Sequence, residues 1–171
     1  MSLTPKQIQS LLDAVLTSHP HWNMLLKAMT DEWTVEETSI HYNQYITQLY
    51  NETIYQSHTL NEYQLDIVTD PLYELIDHAS FLAQSGKVFH SLAICTTILG
   101  RVEEIDQNSL SECQVPEIID QVETCMTEIN TNSTARQRKQ LYRKYTHFLQ
   151  QISKDNMYKP DFEEFVNYFV L

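Results

Sequence analysis

Glycine and proline, the residues that most often interrupt regular structure, are scarce in this sequence. Its 171 residues include two glycines and five prolines. Proteins rich in β-sheet use more of both in their turns, so the scarcity argues against a sheet-rich fold. No run of about 18 apolar residues occurs, so no membrane-spanning helix is predicted, and the polar start MSLTPKQIQS does not predict a signal peptide. The sequence therefore predicts one helical domain over residues 1–171.

Cysteine is also rare, and its pattern lacks the spacing of a redox or metal-binding motif. Cys95, Cys113 and Cys125 are odd in number and form no CxxC pair, which favours reduced thiols and a cytoplasmic location. The sequence also lacks a Gly-x-Ser-x-Gly motif and a phosphate-binding loop. Nucleophilic catalysis therefore has no support in the sequence, and we expect no cofactor and no enzymatic activity.

Positive charge is scarce along most of the chain. Residues 1–135 contain 4 Lys or Arg against 19 Asp or Glu, whereas residues 136–171 contain 7 against 4. The net charge of −12 argues against general binding to nucleic acid or to anionic membranes. Phosphate neutralisation by Lys and Arg supplies most of the non-specific affinity in such complexes. The composition instead predicts a soluble domain that binds another protein or peptide.

Apolar residues at helical spacing are plentiful, and they are clearest in residues 70–106. This stretch predicts two antiparallel helices, because Asp70 and Pro71 are typical of a helix start and Gly86 of a helix end. The second helix carries two apolar stripes, which predicts neighbours on two sides. Gly100 indicates either a close approach by another backbone or an early end to that helix.

Further helix starts come from capping boxes and prolines. Thr4, Thr34 and Thr134 are each followed three residues later by Gln or Glu, the pattern in which two side chains cap one helix end. All five prolines fall at predicted helix starts, and residues 57–69 are predicted to form a loop. The pattern predicts an all-α fold of seven or eight helices packed as antiparallel hairpins. No second copy of the 70–106 pattern is present, so we expect irregular helix pairs.

The central hairpin resembles a tetratricopeptide helical repeat. The residues that carry the resemblance are Leu75, Ala79, Leu82, Gly86, Ser91 and Cys95. They fall where that motif has apolar, small and turn positions, over about 35 residues, near the length of one repeat. The sequence departs from the motif at Leu75 and Cys95, where an aromatic residue is expected, and at Ile98, where alanine is expected. The resemblance implies an α–α superhelix or related bundle with a protein or peptide partner.

Two segments are also similar to the helical region that accompanies SWIM-type zinc fingers in bacterial proteins. They are YNQYI at 42–46 and FLAQSGKVFHSLAI at 81–94. The Cys and His residues of the finger itself are absent from this sequence. The resemblance therefore implies neither a metal site nor a role with nucleic acid.

Candidate partner-binding residues fall into two groups, aromatic residues on predicted helices and a basic run. The first group comprises Tyr42, Tyr45, Tyr50, His78 and His90, which could line a groove between helix pairs. Packing in the core or at its edge is the alternative use for these tyrosines. The second group is Arg136, Lys139 and Arg143, which share one face of an amphipathic helix. The alternative interpretation is a solvated helix whose positive charges offset the negative charge of the rest of the protein.

These observations lead to one leading hypothesis and two alternatives. The leading hypothesis is a non-enzymatic protein-interaction module, a helical scaffold or adaptor. The first alternative is a metal-dependent helical-bundle enzyme with a site built from His41, His78 and His90 on different helices. The second is a homo-oligomeric structural protein in which the basic helix contacts an acidic face.

Overall fold

A computed structural model describes residues 4–56, 60–108 and 114–170, and in these ranges the chain forms nine α-helices and no sheet. The helices are α1 (Pro5–Ser18), α2 (Pro20–Met29), α3 (Val35–Glu52), α4 (Glu62–Gln84), α5 (Val88–Leu99), α6 (Val102–Asp106), α7 (Val115–Thr131), α8 (Ala135–Gln151) and α9 (Lys159–Glu164). Seven of these helices have ten or more residues, which confirms the predicted all-α fold. None of the helices in these ranges combines the length and hydropathy needed to cross a bilayer.

The predicted capping boxes are present at the starts of three helices. Thr4, Thr34 and Thr134 each accept a hydrogen bond from the backbone N–H three residues later, at the starts of α1, α3 and α8. In return, the side chain at that later position accepts a hydrogen bond from the threonine N–H. Each box satisfies two backbone donors that a helix start would otherwise leave unpaired.

The predicted start of the central hairpin at Pro71 is wrong. Helix α4 begins at Glu62, after a capping box between Asn61 and Gln64, and runs through Pro71 without ending. Proline inside a helix removes one backbone hydrogen bond and costs about 3 kcal/mol. Apolar packing offsets that cost, since Leu65 and Val68 are buried on the same face as the residues that follow the proline. Of the predicted loop at 57–69, residues 57–59 lie outside the described ranges and the part from Glu62 onward is helical.

The end of α4 is a Schellman motif that depends on glycine. Gly86 has φ = 79°, in the left-handed region that L-residues rarely adopt. Its N–H donates to the carbonyl of Ala83 at 3.0 Å, and the N–H of Lys87 donates to the carbonyl of Leu82 at 2.8 Å. The chain therefore reverses within three residues and begins α5 at Val88. Gly100 ends α5 in a right-handed conformation, so the predicted second helix is divided into α5 and α6.

Helix α5 lies at the centre of the bundle, as its two apolar stripes predict. Nine of its twelve residues are buried. It packs against α4, α3, α7 and α8, while α2 packs on α3 and α4 and the C-terminal segment packs on α7 and α8. The free thiols of Cys95 on α5 and Cys125 on α7 meet inside this core, with their sulfur atoms 3.6 Å apart.

Candidate partner-binding groove

A groove of about 610 Å³ runs over the exposed side of α5, between α3 and α8, and we call it the α5 groove. Its residues are Val35, Glu36, Ser39, Ile40 and Asn43 on the α3 side, Phe89, Leu92, Ala93, Thr96, Thr97, Gly100 and Arg101 along the floor, and Lys144, His147, Phe148, Gln151 and Ile152 on the α8 side. The groove exists because α3 and α8 both pack on α5 with a space between them. Apolar side chains, including Ile40, Phe89 and Phe148, alternate in its lining with polar and charged ones, including Glu36 and Lys144.

The floor of the α5 groove is formed by a row of small residues. Ala93, Thr96, Thr97 and Gly100 recur at the spacing that places residues on one side of a helix. The hydroxyl groups of Thr96 and Thr97 donate to the α5 carbonyls of Leu92 and Ala93, at 2.9 and 2.7 Å, so they are satisfied within the helix. These two hydroxyl groups therefore need no partner from outside the helix.

One end of the groove is closed by a network around Arg101. Its guanidinium donates to Asn43 Oδ1 and Thr47 Oγ1, both at 2.9 Å, and forms an ion pair with Glu104. It also lies over the ring of Tyr50, 5.0 Å from the ring centre. These contacts hold α3 against the junction of α5 and α6. The Arg101 charge is neutralised by Glu104, so the ion pair at this end of the groove stabilises the fold.

One side of the groove is formed by α8, which is the basic helix that the sequence predicts. Residues 135–151 contain five Lys or Arg and no Asp or Glu. Arg136, Lys139 and Arg143 are exposed, and none of them forms a salt bridge with another residue of the described ranges. Lys144 lies 3.7 Å from Glu36 across the groove, with both side chains largely exposed. Of these α8 cations, Lys144 lines the groove, whereas Arg136, Lys139 and Arg143 are exposed elsewhere on the helix.

The predicted aromatic residues do not line this groove, and this expectation is corrected for most of them. Tyr42 and Tyr50 are fully buried, with exposures of 0%, and His78 and His90 are buried with exposures of 4% and 7%. Tyr45 is half-buried and packs against the core. Four of the five are therefore core residues, which corresponds to the packing alternative. Their polar atoms find partners inside the protein.

His78 belongs to a buried aromatic cluster that joins α2, α3 and α4. Its Nδ1 lies 3.0 Å from the Tyr42 hydroxyl, and its ring stacks on His21 at 5.7 Å between ring centres. His21 Nε2 lies 2.8 Å from a carboxylate oxygen of Glu74. Burial, with a smaller contribution from the neighbouring His21 ring, lowers the pKa of His78 to about 4. His78 is therefore neutral at pH 7.

His90 joins α5 to the turn that precedes α3. Its Nδ1 lies 2.9 Å from Thr38 Oγ1, and its Nε2 lies 3.8 Å from Asp31, which also pairs with Lys87. Burial lowers the pKa of His90, although the Asp31 carboxylate acts in the opposite direction. Asp31 has φ = 58°, a left-handed conformation that aspartate adopts more readily than most residues. The contacts assign His90 a structural role between elements.

The metal-site alternative requires several ligands around one point. Within residues 4–56, 60–108 and 114–170, no group of three or more His, Cys, Asp or Glu is arranged to hold an ion. His41 instead stacks on Trp33, with ring centres 4.1 Å apart. The three histidines of that hypothesis thus have separate local contacts with Trp33, Tyr42 and Thr38.

None of the residues that line the α5 groove was among the sequence-based candidates. The groove does border α8, the helix that contains the predicted basic residues. The row of small residues on α5 was a signal in the sequence for a groove. Small residues are, however, equally suited to a close contact between two helices. Only the packing of α3 and α8 distinguishes the two uses. Comparison with known proteins adds no further guide, because no protein-family model, curated protein or solved structure matches this chain.

Proposed function

We propose that this chain is a non-enzymatic protein-interaction module whose α5 groove binds an acidic, amphipathic segment of a partner protein. The observation that carries the proposal is a groove with apolar side chains in its floor and walls, one side of which is formed by the basic helix α8. Apolar side chains of the segment would fill the groove, and its carboxylates would face Lys144, which lines the groove on the α8 side. Electrostatic complementarity of this kind favours correct partners and speeds association.

The apolar part of the proposal is supported by the groove lining. Ile40 is 54% exposed on the α3 wall, and half-buried Phe89 and Phe148 lie on the floor and the α8 wall. Exposed aliphatic side chains beside half-buried aromatic ones are typical of surfaces that bind amphipathic helices through spaced anchors. The groove volume of about 610 Å³ falls within the range of pockets that bind ligands of moderate size.

The charge preference is supported by the distribution of acids and bases. The whole chain has a net charge of −12, yet α8 contains only basic charges. A partner segment rich in Asp or Glu would be attracted by α8 and repelled by the remainder of the surface. The segment would therefore be guided towards α8. Binding should weaken as salt increases, because exposed charges are screened.

Selection from a displayed library of random peptides tests this proposal. We expect the enriched peptides to combine Asp or Glu with Leu, Ile or Phe at helical spacing. Their affinities, measured by fluorescence anisotropy, should fall by roughly fivefold in Lys144→Glu, the equivalent of about 1 kcal/mol. Lys154→Glu makes the same charge change at an exposed site away from the groove and is the matched control.

A second pair of variants tests the apolar contact. Ile40→Asp introduces a charge into the groove, while Ile67→Asp makes the same change at an exposed position of α4 that does not line it. Binding that is lost in Ile40→Asp and kept in Ile67→Asp supports the proposal. No enrichment of acidic peptides, or selected peptides that are insensitive to both groove variants, would contradict it.

A further inference from the structure

Helix α1 presents an apolar face that nothing in the described part of the chain covers. None of its fourteen residues is buried. Ile8 and Leu11 are each 54% exposed, and Leu12 and Val15 are 40% and 38% exposed. These four residues form a single stripe at helical spacing, and we call it the α1 stripe. A continuous apolar stripe on a capped helix is typical of an interaction surface, whereas scattered apolar residues are ordinary on protein surfaces.

The spacing of the α1 stripe is symmetric about its midpoint. Its residues are separated by three, one and three positions, so the centre falls between Leu11 and Leu12. When two copies of such a helix pack antiparallel about a two-fold axis, Ile8 of one copy lies opposite Val15 of the other. Leu11 likewise lies opposite Leu12. The stripe is therefore complementary to itself, which is the requirement for the symmetric interface of a homodimer.

Charge also favours a second copy at this position. Two molecules that each have a net charge of −12 repel each other over most of their surfaces. Helix α1 contains one basic and one acidic residue, Lys6 and Asp13, and has no net charge. The helix therefore adds no repulsion of its own when two acidic molecules meet through this surface. A single lysine also provides little attraction to an anionic membrane, where interfacial helices use a basic face.

We propose that α1 is a dimerisation helix whose stripe packs antiparallel against the same stripe of a second copy. The contact consists of four apolar side chains from each copy, which is small beside the interfaces of permanent dimers. The dimer should therefore be reversible, with a dissociation constant in the micromolar range. This inference does not depend on the α5 groove, which is formed by other helices.

Sedimentation velocity between about 5 and about 200 µM brackets a micromolar dissociation constant and measures this equilibrium directly. We expect the wild-type protein to change from monomer to dimer over this range. Leu11→Glu should remain a monomer, because it places a charge in the apolar contact. Ser10→Glu adds the same charge to the opposite face of α1 and should dimerise as the wild type does. A wild-type protein that is monomeric throughout would overturn the proposal.

A mixing experiment tests the antiparallel register. Leu11→Glu and Leu12→Lys should each be monomeric alone, since every homodimer would contain two charges facing leucines. In the mixed dimer, the new glutamate faces the new lysine and the remaining leucines face each other. Native mass spectrometry should therefore detect a heterodimer when the two variants are combined. Two single variants that lose the dimer and do not recover it on mixing would overturn this register.

The same variants distinguish two other binding partners that the α1 stripe would have if the proposed pairing is wrong. If Ile40→Asp abolishes the dimer, the stripe binds the α5 groove of the second copy and the proposed pairing is wrong. If the wild type is monomeric but cosediments with phosphatidylserine vesicles, and Leu11→Glu does not, the stripe binds a membrane surface. Dimerisation that survives Ile40→Asp and is lost in Leu11→Glu supports the proposed pairing.

Discussion

The hydroxyl of Tyr42 lies 3.0 Å from Nδ1 of His78, with both side chains buried between α3 and α4. We expect Tyr42→Phe to lower the free energy of unfolding by about 1–2 kcal/mol, because the buried imidazole nitrogen loses its partner. Urea denaturation followed by circular dichroism measures the change. Tyr63→Phe removes the same atom at a side chain that is 74% exposed and should leave stability unchanged. Equal effects of the two substitutions would contradict the importance of this hydrogen bond.

The low pKa of His78 predicts a loss of stability in mild acid. An unfolded histidine has a pKa of about 6.5, whereas burial and the nearby His21 lower the pKa of folded His78 to about 4. Between these values the unfolded chain binds a proton that the folded protein does not. The contribution of neutral His78 to the free energy of unfolding is therefore complete above pH 6.5. It falls as the pH decreases toward about 4, by at most about 3 kcal/mol.

His78→Gln removes this titration while keeping an oxygen that can accept from Tyr42. The difference in unfolding free energy between the wild type and this variant should decrease as the pH falls from 7.5 to 4.5, in the window of about 6.5 to 4 set by the two pKa values. His90 has a lowered pKa as well, but its contribution is common to both proteins. The carboxylates of Asp31 and Glu37, whose pKa values are lowered, contribute to both proteins at still lower pH. A difference that is constant with pH would contradict a neutral, buried His78.

Gly86 should be intolerant of alanine for conformational reasons alone. No atom lies within 4 Å of the position that a Cβ would occupy, so steric contact is not an obstacle. The positive φ angle makes Gly86→Ala unfavourable by about 1 kcal/mol or slightly more. Gly86→Asn should cost less, since asparagine adopts left-handed conformations more readily. Thermal and urea unfolding of the three proteins gives the order, and an alanine variant as stable as glycine would contradict it.

The thiols of Cys95 and Cys125 should be protected from reagents in the folded protein. Both side chains are buried, and the hydrogen bond to Cys125, together with burial, raises the pKa of Cys95. Because the thiolate is the reactive form, a raised pKa adds to the effect of exclusion from solvent. In a Cys113→Ser background, Ellman's reagent should react slowly with the native protein and rapidly in denaturant. Rapid reaction of two thiols in the native protein would contradict this packing.

The helix boundaries that depend on local chemistry could be predicted from the sequence. The capping threonines and Gly86 act through backbone groups within a few residues, so their patterns are sufficient. Pro71 was misleading because its local cost is outweighed by the burial of Leu65 and Val68 in the core. The capping box at Asn61 was the available local signal for the correct start of α4.

The location of the candidate site could not be predicted in the same way. Tyr42 and Tyr50 have polar tips that suit either a groove or a core, and the choice depends on partners far away in the chain. Their hydroxyl groups meet His78 and the carbonyl of Arg101, which are 36 and 51 residues distant. Helical periodicity identifies the face that these side chains share. It does not determine whether another helix covers that face.

The central position of α5 has a consequence for how this protein can be divided. Its sequence, VFHSLAICTTIL, is rich in β-branched residues, which are weak helix formers in isolation. A peptide of this segment would be largely disordered in water, because its helicity depends on burial by its neighbours. Removing α3 or α8 would therefore destabilise the central helix as well as the region from which the helix was removed. We expect that neither half of the protein folds independently.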